Sequence, residues 1–143
     1  MKISAKGRYA LRLMVDLAQR DNGEWIALKD ISKRQGISVK YLEQIVSGLS
    51  RAGLLRSSRG AAGGYQLTRP AAQYTAGEII RALEGPLAPV SCLEQESNLC
   101  PRHEFCPTIR LWEGLYDVVN QYLDSYTLAD IAEAEKPAYD YSI

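Results

Sequence analysis

Residues 36–67 constrain the fold more than any other part of this chain. Ser38 suits a helix N-cap, because its hydroxyl can accept a hydrogen bond from a backbone N–H of the first turn. Apolar side chains then recur at helical spacing as far as Gly53, a residue type that often ends helices. The pattern predicts an amphipathic helix that packs on a core. Its apolar positions are Leu42, Ile45, Val46 and Leu49.

Two short segments after this helix predict a β-hairpin. Residues 54–56 and 65–68 have the composition of strands, and the loop over residues 57–64 is rich in glycine. The loop also carries Arg59 and Gly60, so its tip combines positive charge with backbone freedom. A helix with a polar leading edge followed by such a hairpin is typical of a winged helix-turn-helix, which binds duplex DNA.

The preceding residues predict the rest of that unit. Ser4 can cap a first helix, whose Lys6 and Arg8 are placed to contact phosphates. A second helix over residues 28–35 and a glycine-containing turn complete the helix-turn-helix pattern. Residues 25–27 could add a short strand that pairs with the wing. An ordinary helical hairpin is the alternative, and the wing that follows favours the DNA-binding interpretation.

The helix after Ser38 would face bases with its first turns if it enters the major groove. Gln44 could pair with adenine, Glu43 could accept from cytosine, and Lys40 could contact guanine or phosphate. Arg59 suits a narrow minor groove, where the negative potential is enhanced. A merely solvated helix face is the alternative. The candidate DNA-binding residues are Ser38, Lys40, Tyr41, Glu43, Gln44, Arg59, Gly60, Lys6 and Arg8.

The charge distribution also favours a polyanionic partner. The formal net charge is zero, yet residues 1–69 contain thirteen Lys and Arg against five Asp and Glu, a net charge of +8. Residues 70–143 contain four bases against twelve acids, a net charge of −8. Counterion release would make binding by the basic half salt-dependent. The alternative is that the charges only mark two solvated faces, but bases and acids would then be less strongly separated between the two halves of the sequence.

The second half predicts an assembly element. Thr75 and Glu78 form a capping-box pattern that opens another helix. Residues 109–126 hold the longest amphipathic pattern, and a compact winged domain leaves little surface to cover its apolar stripe. We expect a homodimer through this helix, matching two half-sites on DNA, with folding back onto its own domain as the alternative. The expected dimerisation residues are Trp112, Leu115, Tyr116, Val119, Tyr122 and Leu123.

All cysteines lie in one aperiodic loop. Cys92, Cys100 and Cys106 have the spacing C-x7-C-x5-C. Clustered thiols in a reduced protein suit a soft metal or an iron–sulfur cluster, with one further coordination position to fill. His103, the only histidine, is one candidate, and a neighbouring carboxylate, a residue of a second subunit, water or a small thiol are others. Unconnected thiols that form transient disulfides are the alternative.

The 143 residues fit one domain plus an assembly element. The expected fold class is mainly α with a small β-wing, divided into a winged helix-turn-helix domain (1–85), a cluster-binding loop (86–107) and a long dimerisation helix with a C-terminal segment (108–143). We expect no enzyme and no small-molecule substrate, since no catalytic triad, phosphate loop or paired catalytic carboxylates appear. The absence of long apolar runs and of a signal-peptide pattern predicts a cytoplasmic protein without membrane contact.

Several segments together resemble the IscR/NsrR-type regulators, the Rrf family of dimeric winged-helix transcription factors of bacteria. They are residues 4–10, 36–44, 59–65 and 75–80, the three-cysteine loop, Trp112, and residues 127–130. The resemblance implies that Cys92, Cys100 and Cys106 ligate a [2Fe–2S] or [4Fe–4S] cluster whose state tunes operator binding. It also implies that residues 38–44 read the major groove and Arg59 the minor groove.

This chain departs from the family pattern in the cysteine loop. The first cysteine interval is wider, and Ile109 stands where IscR-like proteins carry a histidine ligand. The fourth ligand and the cluster type therefore stay open. We expect a DNA-binding repressor that senses iron–sulfur status, nitric oxide or redox. A cluster-free regulator or interaction protein that senses thiol metabolism or redox, and an iron–sulfur electron carrier, are the alternatives.

Overall fold

The computed structural model describes residues 1–97 and 100–134. Within them the chain forms six α-helices and one two-stranded antiparallel sheet, which confirms the predicted fold class. Residues 135–143, the end of the predicted C-terminal segment, lie outside the described part. The elements are α1 (Ala5–Gln19), α2 (Leu28–Gln35), α3 (Val39–Arg51), β1 (Leu55–Ser58), β2 (Gly64–Leu67), α4 (Ala76–Glu84), α5 (Ile109–Asp124) and α6 (Leu128–Ala134).

One apolar core lies between α1, α2, α3, α4, the wing and α6. The inward face predicted for α3 is buried, and α1 supplies Leu13 and Met14 with no exposed surface. Burying a side chain of this size stabilises the fold by roughly 1.5–3 kcal/mol. Leu128 of α6 belongs to the same cluster and is also fully buried. A residue of the C-terminal segment therefore packs into the core formed by the N-terminal helices.

A buried carboxylate joins the first two helices. Asp16 of α1 has no exposed surface. It accepts hydrogen bonds from Nε and Nη2 of Arg34, at 3.0 and 2.7 Å, and from Nε2 of Gln35 at 2.9 Å. Burial by itself would raise the pKa of Asp16, but these hydrogen bonds and the charges of Arg34 and Arg20 outweigh it and lower the pKa. The pair fixes the end of α2, where the turn into α3 begins.

The turn and the start of α3 follow the sequence prediction. Gly36 adopts a left-handed conformation with φ of 67° at the end of α2. Ser38 then caps α3, and its Oγ accepts the N–H of Tyr41 at 3.1 Å. The local chemistry of the turn, Gly36 and the Ser38 cap, therefore sets where α2 ends and α3 begins.

The wing is a hairpin whose strands reach closer to the tip than predicted. Leu55 pairs with Leu67, and Ser58 pairs with Gly64, so only residues 59–63 form the loop. The strand expected at residues 25–27 is a single bridge between Ile26 and Tyr65, whose backbone hydrogen bonds measure 3.1 and 2.9 Å.

At the start of α4, one of the two hydrogen bonds of the predicted capping box is formed. Oγ1 of Thr75 accepts the N–H of Glu78 at 3.0 Å, as expected. The Glu78 carboxylate pairs with Nη2 of Arg69 at 2.6 Å rather than returning to Thr75, so the predicted capping box is half formed. The ion pair reaches across nine residues, which local sequence reasoning does not detect.

The helix α5 has no buried residue. Its last residues are held to α4, because Arg81 donates to Oδ1 of Asn120 at 3.1 Å and to Oδ1 of Asp124 at 2.7 Å. Thr127 and Asp130 then form a complete capping box at the start of α6, with both bonds at 3.0 Å. No helix in the described ranges is long and apolar enough to cross a bilayer.

Candidate nucleic-acid interface and cysteine loop

The start of α3, the start of α2 and the wing surround one cleft of about 410 Å³. Glu43 of α3 lines it opposite Arg59 and Gly60 of the wing tip, so the structure brings together three of the predicted DNA-binding residues. Apolar Leu28 and Val39 also line it. Sequence reasoning missed these two because an apolar residue at a helix start resembles a core position, although Val39 is 38% exposed.

The shape of the wing depends on glycine at two points. Gly60 has a φ of 101°, which side chains on L-residues rarely allow. A Cβ on Gly64 would lie 2.2 Å from the carbonyl oxygen of Ile26, so the bridge between Ile26 and Tyr65, next to the wing tip, leaves no room for a side chain. These positions hold the exposed Arg59 at the tip, in front of the cleft.

The exposed face of α3 carries most of the other predicted base-reading residues. Ser38, Lys40 and Gln44 are exposed together with Glu43. Tyr41 is different, because its ring packs edge-on against Tyr9 of α1, with centroids 5.7 Å apart and planes at 75°. Its ring therefore ties α1 to the first turn of α3.

Basic residues of α1 flank that contact. The guanidinium of Arg8 lies 5.9 Å from the Tyr9 ring centroid, and that of Arg12 lies 5.2 Å from it. Cations at this distance from an aromatic face are attracted by about 0.5–1 kcal/mol at exposed sites. Lys6 is half-buried one turn earlier. The guanidinium groups of Arg8 and Arg12 thus lie near the ring that contacts the first turn of α3.

Only two of the three thiols of the cysteine loop line the same cavity. Cys92 and Cys100 line a space of about 290 Å³, and none of the three cysteines is in a disulfide. Cys106 follows the short 3-10 turn His103–Phe105 and is not part of that lining. Among residues 1–97 and 100–134, no three His, Cys, Asp or Glu side chains are grouped as a metal site. His103 is exposed.

Cys106 has the environment of a reactive thiol. Its Sγ lies 3.3 Å from Oγ1 of Thr108. This hydrogen bond, followed by backbone hydrogen bonds and the charge of Arg102, lowers the pKa of Cys106 below its ordinary value. Because thiolates are the form that binds metals, the donor chemistry of the loop fits a thiolate-bound metal or cluster. The sulfurs are not arranged around one point.

An apolar stripe runs along the outer face of α5. Its members are spaced by four, three and four residues, which places them on one side of a helix. They are Leu111, Leu115, Val118 and Tyr122, exposed by 64%, 39%, 62% and 60%. Two of them were among the predicted dimerisation residues. The other four predicted residues, Trp112, Tyr116, Val119 and Leu123, are half-buried.

Known proteins of similar sequence and structure are bacterial regulators. The Rrf2 family model, described as an iron-dependent transcriptional regulator, matches residues 3–134. The HTH-type transcriptional regulator CymR of Bacillus subtilis (strain 168) is 45% identical over 147 residues, which span all of both chains. The HTH-type transcriptional regulator IscR of Escherichia coli O1:K1 / APEC is 37% identical over 136 residues, 95% of this chain and 83% of the relative.

Two solved structures share the fold over nearly the full length. The CymR structure, that of the global cysteine regulator of B. subtilis, superposes with a TM-score of 0.77 at 41% identity and covers 95% of this chain and 99% of that one. An IscR from T. potens gives a TM-score of 0.75 at 39% identity and covers 96% and 90%. With its winged helix-turn-helix and these relatives, which are regulators and not enzymes, the chain belongs to the Rrf2 family of DNA-binding transcriptional regulators.

Proposed function

We propose that this protein represses transcription by binding a double-stranded DNA operator as a homodimer, and that a cluster held by its cysteine loop sets the operator affinity. The cleft shared by α3 and the wing tip is the observation that carries the DNA-binding part. Its walls come from the half of the chain that has a net charge of +8. The excess of cations in this half of the chain would attract the phosphate backbone.

The proposed contacts follow from where each side chain lies. The exposed Lys40, Glu43 and Gln44 of α3 would meet base edges in the major groove. Arg59 at the wing tip would enter the adjacent minor groove, where Gly60 lets the backbone approach. Ser38 and Tyr41 sit at the start of α3, and Lys6 and Arg8 at the start of α1, where they would contact phosphates.

The stripe on α5 supports the homodimer. An isolated helix face that leaves Leu111 and Val118 more than half exposed is costly in water and typical of an interaction surface. Pairing two copies about a two-fold axis buries the same stripe on both, and spaces two winged domains for two half-sites.

The cysteine loop supports the regulatory part. Cys92, Cys100 and Cys106 would hold an iron–sulfur cluster, with His103 or Glu104 as candidates for a remaining position. When bound, such a cluster supplies sensitivity to oxidation, nitric oxide and iron supply. The description of the family as iron-dependent agrees with this proposal.

Duplex DNA selected from a random library by the full-length protein provides the binding test. Fluorescence anisotropy over a salt series should give an affinity that falls steeply as salt rises, with a slope that reports the number of phosphates contacted. Binding that is weak and insensitive to salt would contradict the proposal and revive the electron-carrier alternative.

Anaerobic purification tests the cluster. We expect a coloured protein with bound iron and acid-labile sulfide, and loss of both in Cys92→Ser, Cys100→Ser and Cys106→Ser. Operator affinity should then differ between the cluster-loaded and cluster-free wild-type protein. Equal affinities would end the cluster-switch proposal and leave DNA binding intact.

A cluster-free regulator that responds to thiol redox state is the second candidate. It is favoured by the cavity that Cys92 and Cys100 share without Cys106, and by the similarity to a global cysteine regulator. A colourless, iron-free anaerobic preparation whose operator binding changes when two of its thiols are oxidised would select this candidate.

A further inference from the structure

The end of α4 is joined to the start of α1 by a carboxylate. Glu84, the last residue of α4, accepts the backbone N–H groups of Ser4 at 3.3 Å and of Gly7 at 3.2 Å. The Ser4 hydroxyl also donates to it. The first N–H groups of a helix have no partner within the helix, and the helix dipole favours a negative charge there. Glu84 therefore completes the cap that Ser4 begins.

Gly7 shows how closely the two helices meet. It is buried, and a Cβ on it would lie 2.9 Å from Oε1 and 3.0 Å from Cγ of Glu84. An alanine at this position would displace the carboxylate, which is the far end of a flexible side chain. The absence of a side chain at Gly7 is thus what allows Glu84 to reach the helix start.

The same end of α4 also touches α3. A Cβ on Gly48 of α3 would lie 2.9 Å from Cδ1 of Leu83, the residue before Glu84. On the other side, the segment of α1 that Glu84 caps contains Arg8 and leads to Tyr9, whose ring packs on Tyr41. Leu83 and Glu84 thus hold both helices that would face DNA.

We propose that Glu84 is a positioning residue for DNA binding, which fixes the start of α1 so that Lys6 and Arg8 meet phosphates beside α3. This inference rests on the proposed DNA contacts of those two residues. Glu84 would act through α1 and would not touch DNA.

Whether removal of the Glu84 carboxylate weakens or tightens DNA binding distinguishes a positioning role from a purely electrostatic one. A carboxylate near phosphates repels them, so its removal would tighten DNA binding if charge were its only contribution. Removal weakens binding if the carboxylate holds two cationic contacts in place. Each phosphate contact that is lost also lowers the salt slope by about 0.9.

The experiment uses the full chain and a duplex selected by the wild-type protein. We expect Glu84→Ala to bind about tenfold more weakly, with a salt slope lower by about one to two. Glu84→Gln keeps an acceptor for the N–H groups and should restore part of the affinity. Glu113→Ala, which removes the same charge from an exposed position on α5, is the control for charge and should leave the slope unchanged.

Gly7→Ala is an independent test, because it displaces the Glu84 carboxylate without removing its charge. Alanine is a better helix former than glycine, so this variant should stay folded and still show the weaker binding and lower slope. Tighter or unchanged binding in Glu84→Ala and Gly7→Ala would overturn the proposal. Weaker DNA binding with an unchanged salt slope and a lower midpoint of urea unfolding would also overturn the proposal, since that combination indicates general destabilisation. If wild-type protein binds no duplex, the proposed function fails instead.

Discussion

The segment from α1 to α4 and the helix α5 differ in how completely each buries its apolar residues. The first segment encloses a core whose central side chains have no exposed surface, and it satisfies a buried carboxylate internally. The helix α5 buries none of its sixteen residues and leaves an apolar stripe in solvent. The comparison indicates that the first segment, together with Leu128 of α6, covers its own apolar surface, whereas α5 leaves an apolar surface that the proposed homodimer would cover.

The largest expected effect concerns the internal ion pair of the first segment. Asp16→Asn should lower the free energy of unfolding by about 2–3 kcal/mol, somewhat less than for a fully buried pair, because Arg34 is partly exposed. Urea unfolding measures it, and Asp21→Asn at an exposed position is the control. A loss below about 0.5 kcal/mol would mean that the pair does not hold the domain together.

The same residue makes stability depend on pH. The folded-state pKa of Asp16 is below its ordinary value of 3.8, so its contribution is complete above about pH 4 and is lost as pH falls through the folded value. Wild-type protein should therefore lose more unfolding free energy than Asp16→Asn as pH falls below about 4. Parallel curves would contradict this assignment.

Breaking the stripe on α5 should affect assembly and leave the fold intact. Val118→Glu places a charge on the exposed stripe and should convert a dimer into a monomer in analytical ultracentrifugation. Affinity for a two-half-site operator should then fall about a hundredfold. Val118→Ala controls for the loss of side-chain volume. A Val118→Glu protein that stays dimeric would place the interface elsewhere.

Removing the arginine at the wing tip should weaken operator binding less than breaking the stripe on α5. Arg59→Ala should weaken operator binding about tenfold, because one cation leaves a groove of enhanced negative potential, and the loss should be larger on A·T-rich flanks. Arg51→Ala removes the same charge from the exposed end of α3 and should change affinity little. Anisotropy with both flanking sequences measures the difference. Equal losses in the two variants would mean that the arginines act only through net charge.

The smallest expected effect concerns the loop before α5. Thr108→Val removes the first cause of the lowered pKa of Cys106 and should move that pKa up toward its ordinary value. Alkylation of the Cys92→Ser/Cys100→Ser protein across pH reports the shift, and Thr108→Ser, which keeps the hydroxyl, is the control. An identical alkylation profile for the valine and serine variants would remove Thr108 from the explanation.

Local chemistry predicted much of the fold. The Ser38 and Thr75 caps formed as expected, because each hydroxyl meets an N–H three residues along the chain. Glu84 could not be assigned, since its partner Ser4 is eighty residues away. Similarly, periodicity located α5 but missed Leu111 and Val118, because it does not show which side of a helix its own domain covers.

The attachment of α5 has a mechanical consequence. Asn120 and Asp124, which hold it to α4, both lie in its last five residues. A helix of this length spans about 24 Å, so a tilt of about 10° around that hinge would displace its opposite end by about 4 Å. That end follows Cys106 within three residues. A tilt of α5 about this attachment would therefore move the residues next to Cys106 furthest.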